Sequence, residues 1–191
     1  MQFAQLLKDR RSIRDYEPKE VTMDIINEIL QEATLAPSAS NNQPCRFAVI
    51  NCRETIKKLS DESKANLLRD FEQKKTNLTP EYADILRNEK FNVFYNAPCL
   101  IYVAGPKVVH SLDIDCALAA SYIMFAAVAR GLGTCWIGLG AHIRDSKLRA
   151  SMGIDENMRI VVPIIIGYPK EIPAPSARNA PKVLRVISQA R

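Results

Sequence analysis

The sequence has few histidines and lacks several motifs on which enzyme mechanisms depend. Of its 191 residues only two are histidines, His110 and His142, and they occur in no metal-ligand spacing such as HExxH. The phosphate-binding pattern GxxxxGK[ST] and the nucleophile pattern GxSxG are also absent. We therefore predict no metal centre and no hydrolase or kinase mechanism. The shortage of acid–base groups suggests that a cofactor carries the chemistry.

Disulfide, secretion and membrane signals are missing as well. The five cysteines are odd in number, are widely spaced and form no CxxC pair, so we expect no disulfide framework and a reducing compartment. No apolar run follows a basic start, and the longest apolar stretch, residues 116–129, is shorter than the roughly 20 residues of a membrane helix. These absences predict a cytoplasmic protein with no membrane partner.

Hydrophobic residues make up 47% of the chain and charged residues 25%, a composition typical of folded globular proteins. The length suits one domain over residues 1–191. A formal net charge of +5 favours phosphate-bearing partners without deciding among nucleotides, cofactors and nucleic acids.

Hydrophobic periodicity predicts alternating helices and strands. Thr22 can cap a helix from residue 23 to about 35, which the polar and proline-rich residues 37–44 end before a strand over 46–51. The charged stretch 54–92 carries two helical patterns, the second beginning near Thr79, and we expect it to be exposed.

The second half of the chain is more apolar. Residues 99–104 and 159–166 read as buried strands, and between them a helix opens at Asp113 or Asp115 and continues to Ala129. Because this helix is apolar on nearly all sides, either its own domain or a second subunit must enclose it. From about residue 168 a proline-rich basic tail follows, and its apolar residues favour wrapping around a partner.

Three segments are candidate binding sites. In residues 10–14 alternate residues of an extended chain point the same way, so Arg10, Ser12 and Arg14 can converge on one phosphate, although a solvated basic turn is an equal alternative. Residues 37–44 offer amides that could contact a heteroaromatic ring, but ordinary turn chemistry explains them too. The four glycines of residues 131–140 allow close approach to a flat ligand, and Trp136 within them favours a core or interface position.

In their order and spacing these segments resemble the nitroreductase family of flavoproteins across nearly the whole chain. The resemblance rests on four stretches of sequence, which are RRSIR at 10–14, APSASNNQP at 36–44, NAP at 96–98 and GLGTCWIG at 131–138.

The resemblance implies an α+β fold with a mostly antiparallel central sheet flanked by helices, and an intertwined homodimer with FMN at the subunit interface. Site residues carry over in three groups: Arg10, Arg11, Ser12, Arg14 and Arg178 at the FMN phosphate; Pro37, Ser38, Ala39, Asn41 and Gln43 of the other subunit at the ring edge; and Ile137, Gly138 and Leu139 near flavin N5. The tail, about residues 168–191, would wrap the partner subunit. The segment from Phe71 to Phe94 would cover the mouth of the site.

The activity implied by the resemblance is that of an FMN-dependent oxidoreductase. NADH or NADPH would give a hydride to flavin N5, and a small electron-poor acceptor such as a nitroaromatic or a quinone would then take it in a ping-pong cycle. No protein residue is predicted to be catalytic. Two alternatives stay open: another chemistry of the same superfamily (dehalogenation, ene reduction or flavin breakdown), and a basic nucleic-acid-binding module. The second is disfavoured because no helix-turn-helix or aromatic-interleaved basic stretch is present, so we expect no nucleic-acid partner.

Overall fold

A four-stranded antiparallel sheet forms the centre of the fold. The computed structural model describes residues 2–187. The strands are β1 (Arg46–Ile50), β2 (Cys99–Pro106), β3 (Gly133–Trp136) and β4 (Met158–Gly167), and their order in the sheet is β1-β2-β4-β3. Every neighbouring pair is antiparallel. The α+β class with an antiparallel central sheet, which the resemblance implied, is therefore confirmed.

Helices cover both faces of this sheet. They are α1 (Phe3–Asp9), α2 (Met23–Ala33), α3 (Arg53–Glu72), α4 (Pro80–Arg87), α5 (Leu112–Ala129) and α6 (Ser146–Ser151). Alternate residues of β2 enter different hydrophobic clusters, Leu100 and Tyr102 on one side, Ile101 and Val103 on the other. Since side chains of a strand alternate between faces, the two clusters are the two faces of the sheet. Helices α2 and α5 pack on one face, and α3 contributes to the other.

Helix α5 is the longest apolar element. It is long and apolar enough to cross a membrane by length and composition, but 44% of it is buried inside the fold. Leu112, Cys116 and Ile123 face the core, whereas Ile114 is 66% and Tyr122 40% exposed. The helix is therefore a core helix whose outer face remains apolar and uncovered in the single chain.

The helices differ from the sequence predictions in two ways. The charged stretch 54–92 is not simply exposed, because α3 buries polar and charged side chains, including Ser63, Lys64 and Asn66, beneath the sheet. Helix α6 was not predicted, since six residues carry too little periodicity. Asp145 caps it from the preceding position, and its carboxylate accepts a hydrogen bond from the Leu148 backbone N–H at 2.8 Å. Strand β2 also extends to Pro106, two residues beyond the predicted 99–104.

The segment after β4 leaves the compact part of the fold. Pro169 forms an isolated bridge with Tyr16, and residues 170–187 are all exposed. Leu184 is fully exposed and Ile187 is 86% exposed. The predicted tail extends to residue 191, and residues 188–191 lie outside the described part.

Candidate functional site

The basic segment 10–14 runs alongside the edge strand β3. Ser12 pairs with Thr134 in a parallel bridge, and the Ile13 backbone N–H donates to the Thr134 carbonyl at 2.9 Å. Ile13 is buried at 4% exposure, and its carbonyl accepts a hydrogen bond from the Tyr16 hydroxyl at 2.7 Å. Because the chain is extended here, Ser12 and Arg14 both point outward, as the alternation in the sequence predicts.

A cavity of about 760 Å³ brings the predicted phosphate ligands together. Its lining includes Arg10, Ser12, Arg14 and Arg178, together with Lys8 and Arg11. Among residues 2–187 this lining carries five cationic side chains and no carboxylate. Charged donors without a competing acid suit a phosphate dianion.

Arg11 has a different role from its neighbours. Its guanidinium turns back onto the chain and donates to the carbonyls of Lys8 and Arg10. Its Nε is buried, and no hydrogen-bond partner for it is found among residues 2–187. Arg11 therefore holds the backbone of the segment, and Arg10 and Arg14 are the freer donors.

A second cavity, of about 620 Å³, adjoins the first through Arg14, which lines both. The glycine segment enters it with Ile137, Gly138 and Leu139, and three aromatic side chains complete the wall: Tyr82, Tyr95 and Trp136. The guanidinium of Arg14 lies 5.7 Å from the centre of the Tyr95 ring. Trp136 is 41% exposed at this wall in the single chain, so it is not a core residue, and its interface position stays a prediction.

Residues from α3 and β2 support the glycine turn from below. The Ser63 hydroxyl donates to the Leu139 carbonyl, the Tyr102 hydroxyl to the Gly140 carbonyl at 3.0 Å, and the Asn66 amide to the His142 carbonyl at 2.9 Å. Each donor is fixed on a regular element, so the backbone over residues 138–142 is held rigidly at the cavity.

A buried cation fixes the segment that leads into Val93 and Tyr95 of this cavity wall. Lys64 is 7% exposed, and its ammonium donates to the carbonyls of Asn88 at 2.7 Å and Phe91 at 2.9 Å. Residues 76–79 on the same wall precede α4. Residues of the segment from Phe71 to Phe94 therefore line the cavity, and the covering of its mouth by this segment stays a prediction.

His142 lies at the end of the glycine turn, near Asp70 and Arg144. Burial lowers the pKa of His142 below its ordinary value, and the nearby Asp70 carboxylate only partly opposes this. The Arg144 guanidinium donates to Asp70 and holds the pKa of that carboxyl below its usual range. At neutral pH His142 is therefore uncharged, which fits a structural histidine.

The loop 37–43 has a strained and tightly bonded backbone. Ser40, Asn41 and Gln43 all have positive φ, between 45° and 54°, which L-residues other than asparagine rarely adopt. The Gln43 backbone N–H donates to the Ser38 hydroxyl at 2.9 Å, and the Ala39 N–H donates to the buried Asp115 carboxylate at 3.1 Å. Several local bonds must therefore hold a conformation that is unfavourable by itself.

This loop does not reach the two cavities described above. Pro37, Ser38 and Gln43 line a separate cavity of about 170 Å³ beside α2 and α5. Cys45, which follows the loop, packs with the cluster of that face, whereas Ile13 and Ile137 belong to the cluster on the opposite face. Within one chain the sheet therefore separates the loop from the basic segment.

Several residues of the site were not identified from the sequence. Asp115 was noted only as a helix start, although its carboxylate anchors the loop. Lys64 and Asn66 lie in the charged stretch 54–92, where the sequence alone gives no reason to assign them a role. Tyr82 and Tyr95 carried no motif that could mark them as cavity walls.

Comparisons with known proteins identify the family. The sequence model of the nitroreductase family matches residues 7–168. The chain belongs to the nitroreductase family. Recognition from the four motifs is thereby confirmed, and so is the enzyme class that accompanies it, an FMN-dependent oxidoreductase.

Nitroreductase relatives cover most of the chain. A protein of Archaeoglobus fulgidus, named for a proposed NADH dehydrogenase/NAD(P)H nitroreductase activity, is 30% identical over 87% of this chain and 84% of its own length. The solved structure of a nitroreductase with bound FMN from Bacteroides fragilis has a TM-score of 0.82 at 24% identity and covers 99% of this chain and 100% of its own. Human iodotyrosine deiodinase 1 is 25% identical over 94% of this chain and 66% of its own length.

Proposed function

We propose that this nitroreductase-family protein is an NAD(P)H-dependent FMN oxidoreductase that reduces a small electron-poor acceptor in a ping-pong cycle. The observation that carries the proposal is a pair of cavities, one cationic and one aromatic, that share Arg14 in their linings. FMN has the same two parts, a phosphate and a flat heteroaromatic ring. We further propose that the protein acts in the cytoplasm.

The residues present fit this cofactor. Arg10, Ser12, Arg14 and Arg178 would hold the phosphate, and the rigid backbone of Ile137 to Leu139 would face the ring. When bound, FMN supplies a two-electron carrier between NADH or NADPH and the acceptor. The chain itself binds, orients and excludes water, and no nucleophile or metal ligand is required of it.

The aromatic cavity has the character of an acceptor site. Apart from Arg14 its lining is uncharged, and Tyr82, Tyr95 and Trp136 offer ring faces and edges. Aromatic pairs prefer offset or edge-to-face packing over a few ångströms, so a planar, electron-poor ring such as a nitroaromatic or a quinone suits these walls.

We propose that the active form is a homodimer. The loop with Pro37, Ser38, Ala39, Asn41 and Gln43 would reach the cavity of the partner subunit, because the sheet separates it from the cavity of its own chain. The exposed apolar face of α5 and the exposed apolar residues of the tail would then be covered by the second copy. A monomer that still binds FMN tightly would contradict this.

The proposed phosphate site in the cationic cavity is tested by comparing the binding of FMN with that of riboflavin, which lacks the phosphate. We expect Arg10→Ala to weaken FMN binding roughly 10- to 150-fold, the equivalent of about 1.5–3 kcal/mol for one charged hydrogen bond, and to leave riboflavin binding nearly unchanged. Lys57→Ala is the matched control, since it removes the same charge from an exposed α3 ion pair with Asp61. Equal losses for both ligands, or for both variants, would refute the assignment.

The reaction is tested by anaerobic titration of the FMN-loaded protein with each nicotinamide, followed by acceptors. Bleaching of the flavin by NADH or NADPH and recovery with a nitroaromatic or quinone supports the proposal. The similarity to iodotyrosine deiodinase suggests a second candidate activity, which is reductive deiodination. Turnover of 3-iodo-L-tyrosine without turnover of nitroaromatics and quinones would favour that candidate.

A further inference from the structure

Two cysteines far apart in the chain meet beside the loop 37–43. Cys45 immediately precedes β1, and Cys116 lies in the second turn of α5. Their sulfur atoms are 3.7 Å apart and joined by a hydrogen bond, and the Cys116 thiol also lies 4.0 Å from the Ala104 carbonyl. All five cysteines are free thiols.

The two thiols differ in accessibility. Cys45 is partly exposed and lines the cavity of about 170 Å³ beside α2 and α5, through which a small solute can reach it. Cys116 is fully buried. A reagent can therefore reach the Cys45 thiol directly, whereas the Cys116 thiol is accessible only to Cys45.

Their acidities differ in the same direction. The hydrogen bond with Cys116, aided by the nearby Arg46 guanidinium, holds the pKa of Cys45 below its ordinary value, although burial and the Asp115 carboxylate oppose this. The hydrogen bond with Cys45 and burial both raise the pKa of Cys116. The accessible thiol is thus the better nucleophile at neutral pH.

We propose that Cys45 and Cys116 are a redox-active dithiol, a modification site that a hydroperoxide converts into an intramolecular disulfide. The Cys45 thiolate attacks a peroxide oxygen, the O–O bond breaks, and with hydrogen peroxide the products are a sulfenic acid and water. Cys116 then attacks the Cys45 sulfur, the S–S bond forms, the S–O bond breaks, and the Cys116 proton leaves with the hydroxide as a second water. Two thiols and one hydrogen peroxide thus give one disulfide and two waters.

The geometry requires little movement for this step. A disulfide bond is about 2.05 Å long, so the two sulfur atoms must approach each other by roughly 1.7 Å. The new bond would join the start of β1 to α5 one residue from Asp115, which anchors Ala39 of the loop. The disulfide would therefore form close to the loop 37–43, the segment that we propose contacts the partner subunit. Formation of the bond itself does not depend on the proposed function.

The experiment treats the reduced full-length protein with hydrogen peroxide, blocks remaining thiols with an alkylating reagent under denaturing conditions, and maps the peptides. We expect loss of two of the five thiols, a linked peptide pair containing Cys45 and Cys116, and full reversal by dithiothreitol. In Cys116→Ser the linked pair should fall to background, and Cys45 should instead be labelled by dimedone, which traps sulfenic acids. Cys52→Ser, which removes an exposed cysteine outside the pair, should leave the yield of the linked pair unchanged.

Three results would overturn the proposal: both thiols still reduced when Cys52 is already oxidised, over-oxidation of Cys45 without a linked peptide, or linkage of Cys45 to any cysteine other than Cys116. Because the linked peptide is measured in the wild-type protein, a variant that fails to fold does not remove the test.

Discussion

Gly140 lies in the turn that carries the predicted flavin-facing backbone, and the structure gives a sharp expectation for Gly140→Ala. A Cβ at this position would lie 2.8 Å from the Phe94 Cζ atom, with an even closer contact to Cε1, and 3.3 Å from the Pro163 Cβ atom. Two residues earlier in the same turn, a Cβ on Gly138 would meet no atom within 4 Å. The same glycine-to-alanine substitution therefore produces a steric clash at Gly140 and none at Gly138.

The cost of Gly140→Ala depends on whether Phe94 can move aside. Phe94 is fully buried and packs edge-on against Tyr102, with ring centres 6.3 Å apart. The Tyr102 hydroxyl in turn donates to the Gly140 carbonyl, so the ring and the turn are fixed to each other. We therefore expect the upper end of the usual penalty for overpacking, about 3 kcal/mol. For a chain of this size that corresponds to a fall in Tm of roughly 6–12 °C.

Urea unfolding and a thermal melt of the two variants measure this difference. Gly138→Ala should stay within about 0.5 kcal/mol of the wild type, because the added methyl group is free of contacts. Each variant should be measured without added flavin, so that a change in cofactor affinity does not enter the result. If Gly140→Ala is as stable as Gly138→Ala, the packing of the turn against Phe94 is not as described.

Two further predictions concern the support of the same turn. Lys64→Met leaves the two carbonyls of the 88–91 segment without their charged donor, so we expect a loss of about 2–4 kcal/mol in urea unfolding, and a loss below about 0.5 kcal/mol would contradict the role of this lysine. His142 has a pKa lowered by burial, so the folded protein binds its proton only at a lower pH than the unfolded chain does. The contribution of uncharged His142 to the free energy of unfolding is complete above about pH 6.5, the ordinary histidine pKa that applies to the unfolded chain. This contribution is lost as the pH falls below that value. His142→Asn should therefore flatten the decline of Tm on acidification from that pH, and parallel declines in both proteins would refute this.

Local patterns made the strands and the basic segment predictable. Ile13 is flanked by the polar Ser12 and Arg14, and that alternation alone places the two polar side chains on one side of an extended chain. The apolar runs over 99–104 and 159–166 become central strands because both of their faces are covered by helices. In these segments the information lies within a few consecutive residues.

The rest of the site depends on residues that meet only after folding. Lys64 is buried because the carbonyls that accept its hydrogen bonds arrive from 24 and 27 residues further along the chain. Asp115 anchors Ala39 across 76 residues, and no periodicity in either segment encodes that contact. The charged residues of α3 therefore predict an exposed helix, although contacts with distant segments bury several of its polar and charged side chains.

The placement of the cationic donors is itself a consequence of packing. A Cβ on Gly133 would lie 2.5 Å from the Ile13 Cγ1 atom, so only glycine lets the basic segment lie this close to β3. That closeness allows the Ile13 N–H to bond the Thr134 carbonyl, and it fixes the direction of Ser12 and Arg14 before any anion binds. An arginine is a flexible donor, and its affinity for phosphate increases when its backbone is held in place beforehand. The first and third binding segments of the sequence are therefore one structural unit, in which a glycine of the third positions the arginines of the first.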